Sequence, residues 1–225
     1  METVVNDQSS VEIQIGLFEA IKDLLLIEPI FLLGIVLIGI FLVMIFKKDG
    51  DIPKVKTAIL SLAMYYYLCV MLSHIVGIPT FSEYRRISQL GETFFNPNIN
   101  LIPFSDGVSL SFVLNIFLFV PLGFVCPLIS KTFERLRNTV LIGFGVSLTI
   151  EIVQLFTLLR ATDIDDLLTN VMGTIIGYFC YKLIAKLRIV KPHLSDDSMK
   201  RDFTVYIPIV IIIAVSYTHL RAHET

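Results

Sequence analysis

Glu151, Gln154, Arg160, Asp163, Asp165, Asp166 and Asn170 crowd into one short stretch of the chain and bring together acids, a guanidinium and amides. A carboxylate can move a proton, and a planar guanidinium can grip a phosphate through two parallel hydrogen bonds. Amides donate and accept at once, so they orient a head group without adding charge. Ser147, Glu151 and Gln154 follow i, i+4, i+7, and Asp166, Asn170, Gly173 and Gly177 follow i, i+4, i+7, i+11, so each set shares one helical face. Asn115 and His74 lie farther off in sequence but offer matching chemistry. In an enzymatic reading Glu151 or His74 moves a proton, Arg160 holds an anionic group, and Asn115, Gln154 and Asn170 orient what is bound. A hard cation, Mg²⁺ or Ca²⁺, is an alternative occupant of Glu151 and the aspartates; no His or Cys spacing supports zinc, and no metal ligand is assigned.

The same residues have a plainer use. Amides and serines bond across helices as packing glue, with Asp163 or Thr162 capping the helix that follows. Glue, however, does not require charges of both signs, which Glu151, Arg160 and the aspartates supply.

What must position these residues follows from how apolar the rest of the chain is. Its 225 residues are 55% hydrophobic and 17% charged, with a mean hydropathy of +0.77, which excludes a soluble globule with an ordinary polar surface. Lys+Arg at 18 against Asp+Glu at 20 leaves a net charge of −2, no field for a nucleic-acid backbone. Apolar runs at 29–46, 57–78, 108–129, 139–159 and 167–187 are each near the length of about 20 residues that a helix needs to cross a bilayer. A sixth run, 203–215, is short. The expected fold class is all-α, a polytopic membrane helix bundle of about five to six transmembrane helices.

Every Lys and Arg lies outside these runs or in a last turn. Segment by segment they number 1, 4, 2, 3, 1, 6 and 1, the positive-inside alternation, with 13 on the inner side and 5 on the outer. The N-terminus is therefore expected outside. On that orientation Glu151 lies about 12 Å and Asn115 about 10 Å below the outer face at 1.5 Å rise per residue. Gln154, His74 and Asn170 are shallower, so all five fall in the outer half of a core about 30 Å thick. An ionisable group there costs several kcal/mol unless paired or wet, which marks it as a functional candidate. The inner half is expected to hold no comparable cluster.

The organisation that results is an extracytoplasmic amphipathic segment at 1–28, a first span and inner loop at 29–50, a membrane domain at 51–188, a cytoplasmic linker at 189–202 and a partial sixth span at 203–215. Ser216–Thr225, SYTHLRAHET, resembles a translated sequencing adapter and reads as a non-native tail. The segment 79–107 is the one loop of size, and loops of that length are functional or loosely ordered. Cys69, Cys126 and Cys180 read as small buried hydrophobes. The fourth and fifth spans are expected to form a hairpin whose facing side is polar at the outside and lined by Gly173 and Gly177 further in.

Four ordered motifs carry a resemblance. Asn100-Leu-Ile-Pro-Phe104, Asn115-Ile-Phe-Leu-Phe119-Val-Pro-Leu-Gly123, Glu151-Ile-Val-Gln154 and Arg160-x-x-Asp163-x-Asp165-Asp166-x-x-x-Asn170-x-x-Gly173-x-x-x-Gly177 resemble the VanZ-like family of bacterial membrane proteins over about residues 57–187. That resemblance implies a multi-pass protein of the bacterial plasma membrane, tolerance to the glycopeptide teicoplanin, and action on lipid head groups. It carries Asn100, Asn115, Glu151, Gln154, Arg160, Asp163, Asp166 and Asn170 as site residues. With it, Asp163 and Asp166 join Glu151 and His74 as catalytic candidates, and Asn100 joins Arg160, Asn115, Gln154 and Asn170 as substrate-binding ones.

Two functional classes follow. In one the outer site is an enzyme acting on a lipid or lipid-linked cell-wall precursor; in the other the same site only binds a lipid, an antibiotic or an envelope partner protein. A transporter ranks below both, because the sequence shows no inverted repeat and no paired broken helices. The sequence names no cofactor.

Overall fold

The computed structural model describes residues 31–72, 85–86, 88–89, 91, 99–100, 102–103, 110–155, 162–187 and 202–221. The N-terminal amphipathic segment, most of the 79–107 loop, His74, Arg160 and most of the linker at 189–202 lie outside them.

The fold is an all-α membrane helix bundle. Its helices are α1 (Phe31–Lys48), α2 (Lys54–Val70), α3 (Leu110–Ile129), α4 (Leu136–Gln154), α5 (Ile164–Lys186) and α6 (Tyr206–Arg221). Of these, α1, α3, α4 and α5 are long and apolar enough to cross a membrane, whereas α2 at 17 residues and α6 at 16 are shorter. Two-residue strands, β1 (Ile99–Asn100) and β2 (Thr162–Asp163), pair in parallel, Ile99 opposite Thr162 and Asn100 opposite Asp163. Single 3₁₀ turns, Lys131–Glu134 and Phe203–Val205, lead into α4 and α6.

Helix boundaries depart from the apolar runs where charge belongs to a helix end. The fifth apolar run starts at Leu167, but α5 begins at Ile164 because Asp163 caps it, accepting from the Asp165 N–H at 2.9 Å. Asp165 and Asp166 in its first turn complement the positive end of the helix dipole. Such residues are charged and so stand outside the apolar run although they belong to the helix. Likewise α6 continues past Val215 to Arg221.

Two helix groups share the molecule. In one, α1, α2 and α6 pack around Ile38, Met64, Leu68, Ile207 and Ile211; in the other, α3 and α4 pack on α5, with Phe119, Leu122 and Cys126 buried. The α3–α5 contact is the closest. A side chain on Gly173 would overlap the Ile116 carbonyl, one on Gly177 the Val120 carbonyl, and one on Gly123 the backbone of Thr174. The glycine face of α5 thus meets the third span, not the fourth as the hairpin expectation had it. The contribution of α4 is Gly143, set against the Thr174 side chain. A backbone-to-backbone approach needs glycines on both partners, and Gly123 of α3 meets the α5 backbone where Gly143 of α4 meets only a side chain.

Within α3, Pro121 and Pro127 remove two amide donors from the ladder. One turn from the Pro121 break, the Tyr67 hydroxyl of α2 donates to the Leu118 carbonyl, the kind of external partner that makes proline tolerable in a membrane helix. Cys69 and Cys126 are buried as expected, but Cys180 is exposed on the outward face of α5, where an apolar thiol facing hydrocarbon costs nothing.

Candidate functional site

Strands and helix ends meet at one end of the bundle. β1 and β2 bring Asn100 beside Asp163, and the Asn100 Nδ2 donates to Asp163 Oδ2 at 3.3 Å while its Oδ1 accepts from the Ile102 N–H at 3.2 Å. From α3, Asn115 Nδ2 donates to Asp166 Oδ1 at 2.6 Å. From α4, Glu151 Oε2 accepts the Asp163 N–H at 3.1 Å, and the Glu151 carbonyl accepts the Thr162 hydroxyl at 3.1 Å. Thr162 therefore ties the strand to α4, and the cap of α5 is Asp163.

One turn deeper, Asn170 Nδ2 donates to Ser147 Oγ at 3.0 Å, which joins the two faces read from the i, i+4 spacing. Glu151, Gln154 and Asn170 are only 4%, 5% and 5% exposed. Asn170 Oδ1 is buried and has no hydrogen-bond partner among the described residues. A buried amide oxygen left unmade costs about 1–3 kcal/mol, so this atom marks a place where water or a ligand donor would be stabilised.

The structure thus brings together Asn100, Asn115, Glu151, Asp163 and Asp166, with Asn170 below them and Gln154 buried on α4. Arg160 and His74 lie outside the described residues. Among those described, no three or more His, Cys, Asp or Glu side chains stand close enough to hold a metal ion.

This arrangement has sequence counterparts. Residues 64–185 match the model of the VanZ/LLP1 family, more than half of the chain. The chain belongs to the VanZ/LLP1 family. It is 30% identical to "Protein VanZ" of Enterococcus faecium over 126 residues, 55% of this chain and 74% of that one. No solved structure matches the chain. The VanZ/LLP1 region holds α3, α4, all but the last residue of α5, both strands and every residue of the site just described, while α1 and α6 fall outside it.

The opposite end corrects an expectation. It is not bare of polar side chains. Glu134 is 2% exposed; its Oε1 accepts the Tyr181 hydroxyl and its carbonyl the Tyr178 hydroxyl, each at 2.8 Å. Asp202 Oδ2 accepts from Ser130 Oγ at 2.6 Å, Thr132 N at 3.0 Å and Thr132 Oγ1 at 2.8 Å, while Oδ1 accepts the Thr204 N–H and hydroxyl. Burial alone would raise the Asp202 carboxyl, but these donors outweigh it and hold it below the usual aspartate range. The cluster was illegible because its members come from two connectors and the C-terminal part of α5. The readable signals were Ser130-x-Thr132 and Asp202-x-Thr204, both local capping patterns.

Proposed function

We propose that the amide and carboxylate end is an outward-facing site that binds or acts on the head group of a membrane lipid or lipid-linked cell-wall precursor in the bacterial plasma membrane, giving tolerance to glycopeptides such as teicoplanin. One observation carries this reading: residues from β1, α3, α4 and the start of α5, distant in sequence, are locked by Asn100–Asp163, Asn115–Asp166 and Glu151–Asp163 hydrogen bonds into one polar patch at the end of an apolar bundle. Bringing three carboxylates together beside hydrocarbon is costly and packing does not need it. The 13 to 5 split of basic residues supports the outward orientation.

In the enzymatic form, Arg160 binds the phosphate by its planar fork. Glu151 or His74 moves the proton, Asp163 and Asp166 complete the acid set, and Asn100, Asn115, Gln154 and Asn170 orient the head group. The binding-module form is favoured by a specific observation: Asp163 and Asp166 already accept side-chain amides, which suits a preorganised receptor surface.

Glu151→Gln with Arg160→Lys tests the site. Both variants should accumulate in the membrane at wild-type level, and both should lose teicoplanin tolerance and the head-group-resolved lipid or precursor change seen between cells with and without the protein. If Glu151→Gln keeps ligand binding while function goes, the enzyme form stands; loss of both together selects the binding module. Wild-type function in both variants at wild-type abundance overturns the site. Orientation is checked separately: a cysteine placed at 160–166 should react with an impermeant thiol reagent in intact cells, and one at 49–54 should not.

A further inference from the structure

Donors and acceptors do not balance at the amide and carboxylate end. Asn100 Nδ2 is given to Asp163, Asn115 Nδ2 to Asp166 and Asn170 Nδ2 to Ser147. Two acceptors are left unanswered among the described residues. The Glu151 carboxylate takes one hydrogen bond there, from the Asp163 N–H to Oε2, so Oε1 receives none. Asn170 Oδ1 also receives none, and the two side chains are only 4% and 5% exposed. Ser147 lies one turn below Glu151 on α4, so its bond to Asn170 places that amide about one helical turn beneath Glu151, between α4 and α5. The charges that act on Glu151 are Asp166 and Asp163, and no described residue of β1, β2 or the neighbouring turns of α3, α4 and α5 is cationic.

We infer that the group seated between Glu151 and Asn170 is a protonated primary amine carried by a lipid head group. The inference rests on the head-group reading proposed above and names its substrate class. An ammonium brings three N–H donors and one positive charge, so it answers Glu151 Oε1 and Asn170 Oδ1 together and offsets the repulsion from Asp163 and Asp166. A quaternary ammonium has the charge but no N–H, and a polyol has the donors but no charge. An anionic group alone meets carboxylates of its own sign. Among the described residues no three acidic, His or Cys side chains converge closely enough for a metal ion, which leaves an organic cation as the match. The phosphate that joins the amine to its lipid falls to Arg160 in the reading above.

The full chain, reconstituted in nanodiscs of phosphatidylcholine with equal minor fractions of phosphatidylethanolamine, its N,N-dimethyl form and phosphatidylglycerol, is repurified in detergent and its retained lipid is identified by mass. Phosphatidylethanolamine should be enriched over phosphatidylcholine by about tenfold or more, the worth of one charge-assisted hydrogen bond, with the dimethyl form, which keeps one N–H, between them. Glu151→Gln and Asn170→Leu should each bring that preference to within about twofold of none. Asp202→Asn, at the opposite end, should leave it unchanged. Equal retention of the ethanolamine and choline lipids overturns the inference, because the N–H donors would then contribute nothing, and so does an ethanolamine preference that neither site variant moves. Enrichment of phosphatidylglycerol that Glu151→Gln abolishes overturns the amine while a head-group site stands, and the tolerance test of Glu151→Gln with Arg160→Lys judges that broader reading separately. Full displacement of the retained lipid by an equal concentration of glycerophosphoethanolamine overturns a lipid as the occupant and points to a soluble amine. If Glu151→Gln fails to accumulate, Asn170→Leu reads the same preference.

Discussion

Each end of the bundle buries a glutamate, and the two are treated in opposite ways. Glu134 at the basic end takes a tyrosine hydroxyl on its carboxylate and lies within electrostatic reach of Lys56. Its charge is answered by donors and by an opposite charge. Glu151 at the other end takes a backbone N–H, and its charged neighbours on the next segment are Asp163 and Asp166, of like sign. A buried carboxylate that is matched serves the fold, whereas one gathered with like charges destabilises it and is kept for another purpose. The difference separates a structural clamp from a candidate site, although both are equally buried.

The largest effect should come where both ends depend on one contact. Gly173→Val and Gly177→Val would drive a branched side chain into α3 carbonyls, at a cost of about 3 kcal/mol or more. Folded protein in the membrane should fall steeply for both, measured by monodisperse recovery in detergent. If either accumulates normally, the close α3–α5 approach does not organise the two ends.

A pair of substitutions, one at each end, separates the two glutamate environments. Glu134→Ala takes the carboxylate acceptor from the buried Tyr181 hydroxyl, while the Tyr178 bond to the main-chain carbonyl survives, and removes an ion partner, so it should lower stability by about 2–3 kcal/mol while function per folded molecule stays near wild type. Asp166→Asn keeps the shape and an acceptor for Asn115, so abundance should hold while function falls about tenfold or more, as for loss of a positioned charge. Reversed outcomes, measured as thermal midpoint against tolerance per folded molecule, would exchange the roles of the two ends.

A smaller effect should follow acidification at the basic end. Asp202 is held below the usual aspartate range by donors from Ser130, Thr132 and Thr204, so its contribution is fully present above that range and is lost as pH falls through the lowered folded value. Asp202→Asn should flatten that acid limb of the thermal midpoint and cost about 1–2 kcal/mol at neutral pH as a weakened double cap. Parallel acid limbs in the wild type and in Asp202→Asn would remove Asp202 from the clamp.

The helices, the membrane class and the family were legible in the sequence because apolar length and four spaced motifs are local signals. The pairing of Ser147 with Asn170 was also readable, since i, i+4 spacing on two helices joined by a short turn leaves few registers. Beyond the Asp163 cap of α5, what escaped were the relations that connectors set across the fold. Thr162 bonding the Glu151 carbonyl, β1 lying beside β2, and Asp202 capping two turns at once each join residues that no periodicity relates. The stripe of Gly173 and Gly177 was legible, yet its partner is α3 and not the expected α4. Two neighbours were available, and only the backbone approach of α3 decides between them.

The smallest expected change in stability belongs to Asn170, and it is the sharpest test of the contrast between the ends. Its Nδ2 donates to Ser147 Oγ, while its Oδ1 has no partner among the described residues. Asn170→Leu therefore removes one hydrogen bond and one unmade acceptor together, and Ser147, whose hydroxyl can turn to a helix carbonyl, is not left stranded. The two contributions nearly cancel, so stability should move by less than about 1 kcal/mol. At a purely structural site that would be the whole consequence. If the Asn170 oxygen instead receives a donor from bound lipid or precursor, function should fall by about tenfold, the cost of one lost hydrogen bond at about 1.4 kcal/mol, with the midpoint unchanged. A variant of wild-type stability and wild-type function would place Asn170 with the packing residues and shorten the site to the ring of Asn100, Asn115, Glu151, Asp163 and Asp166.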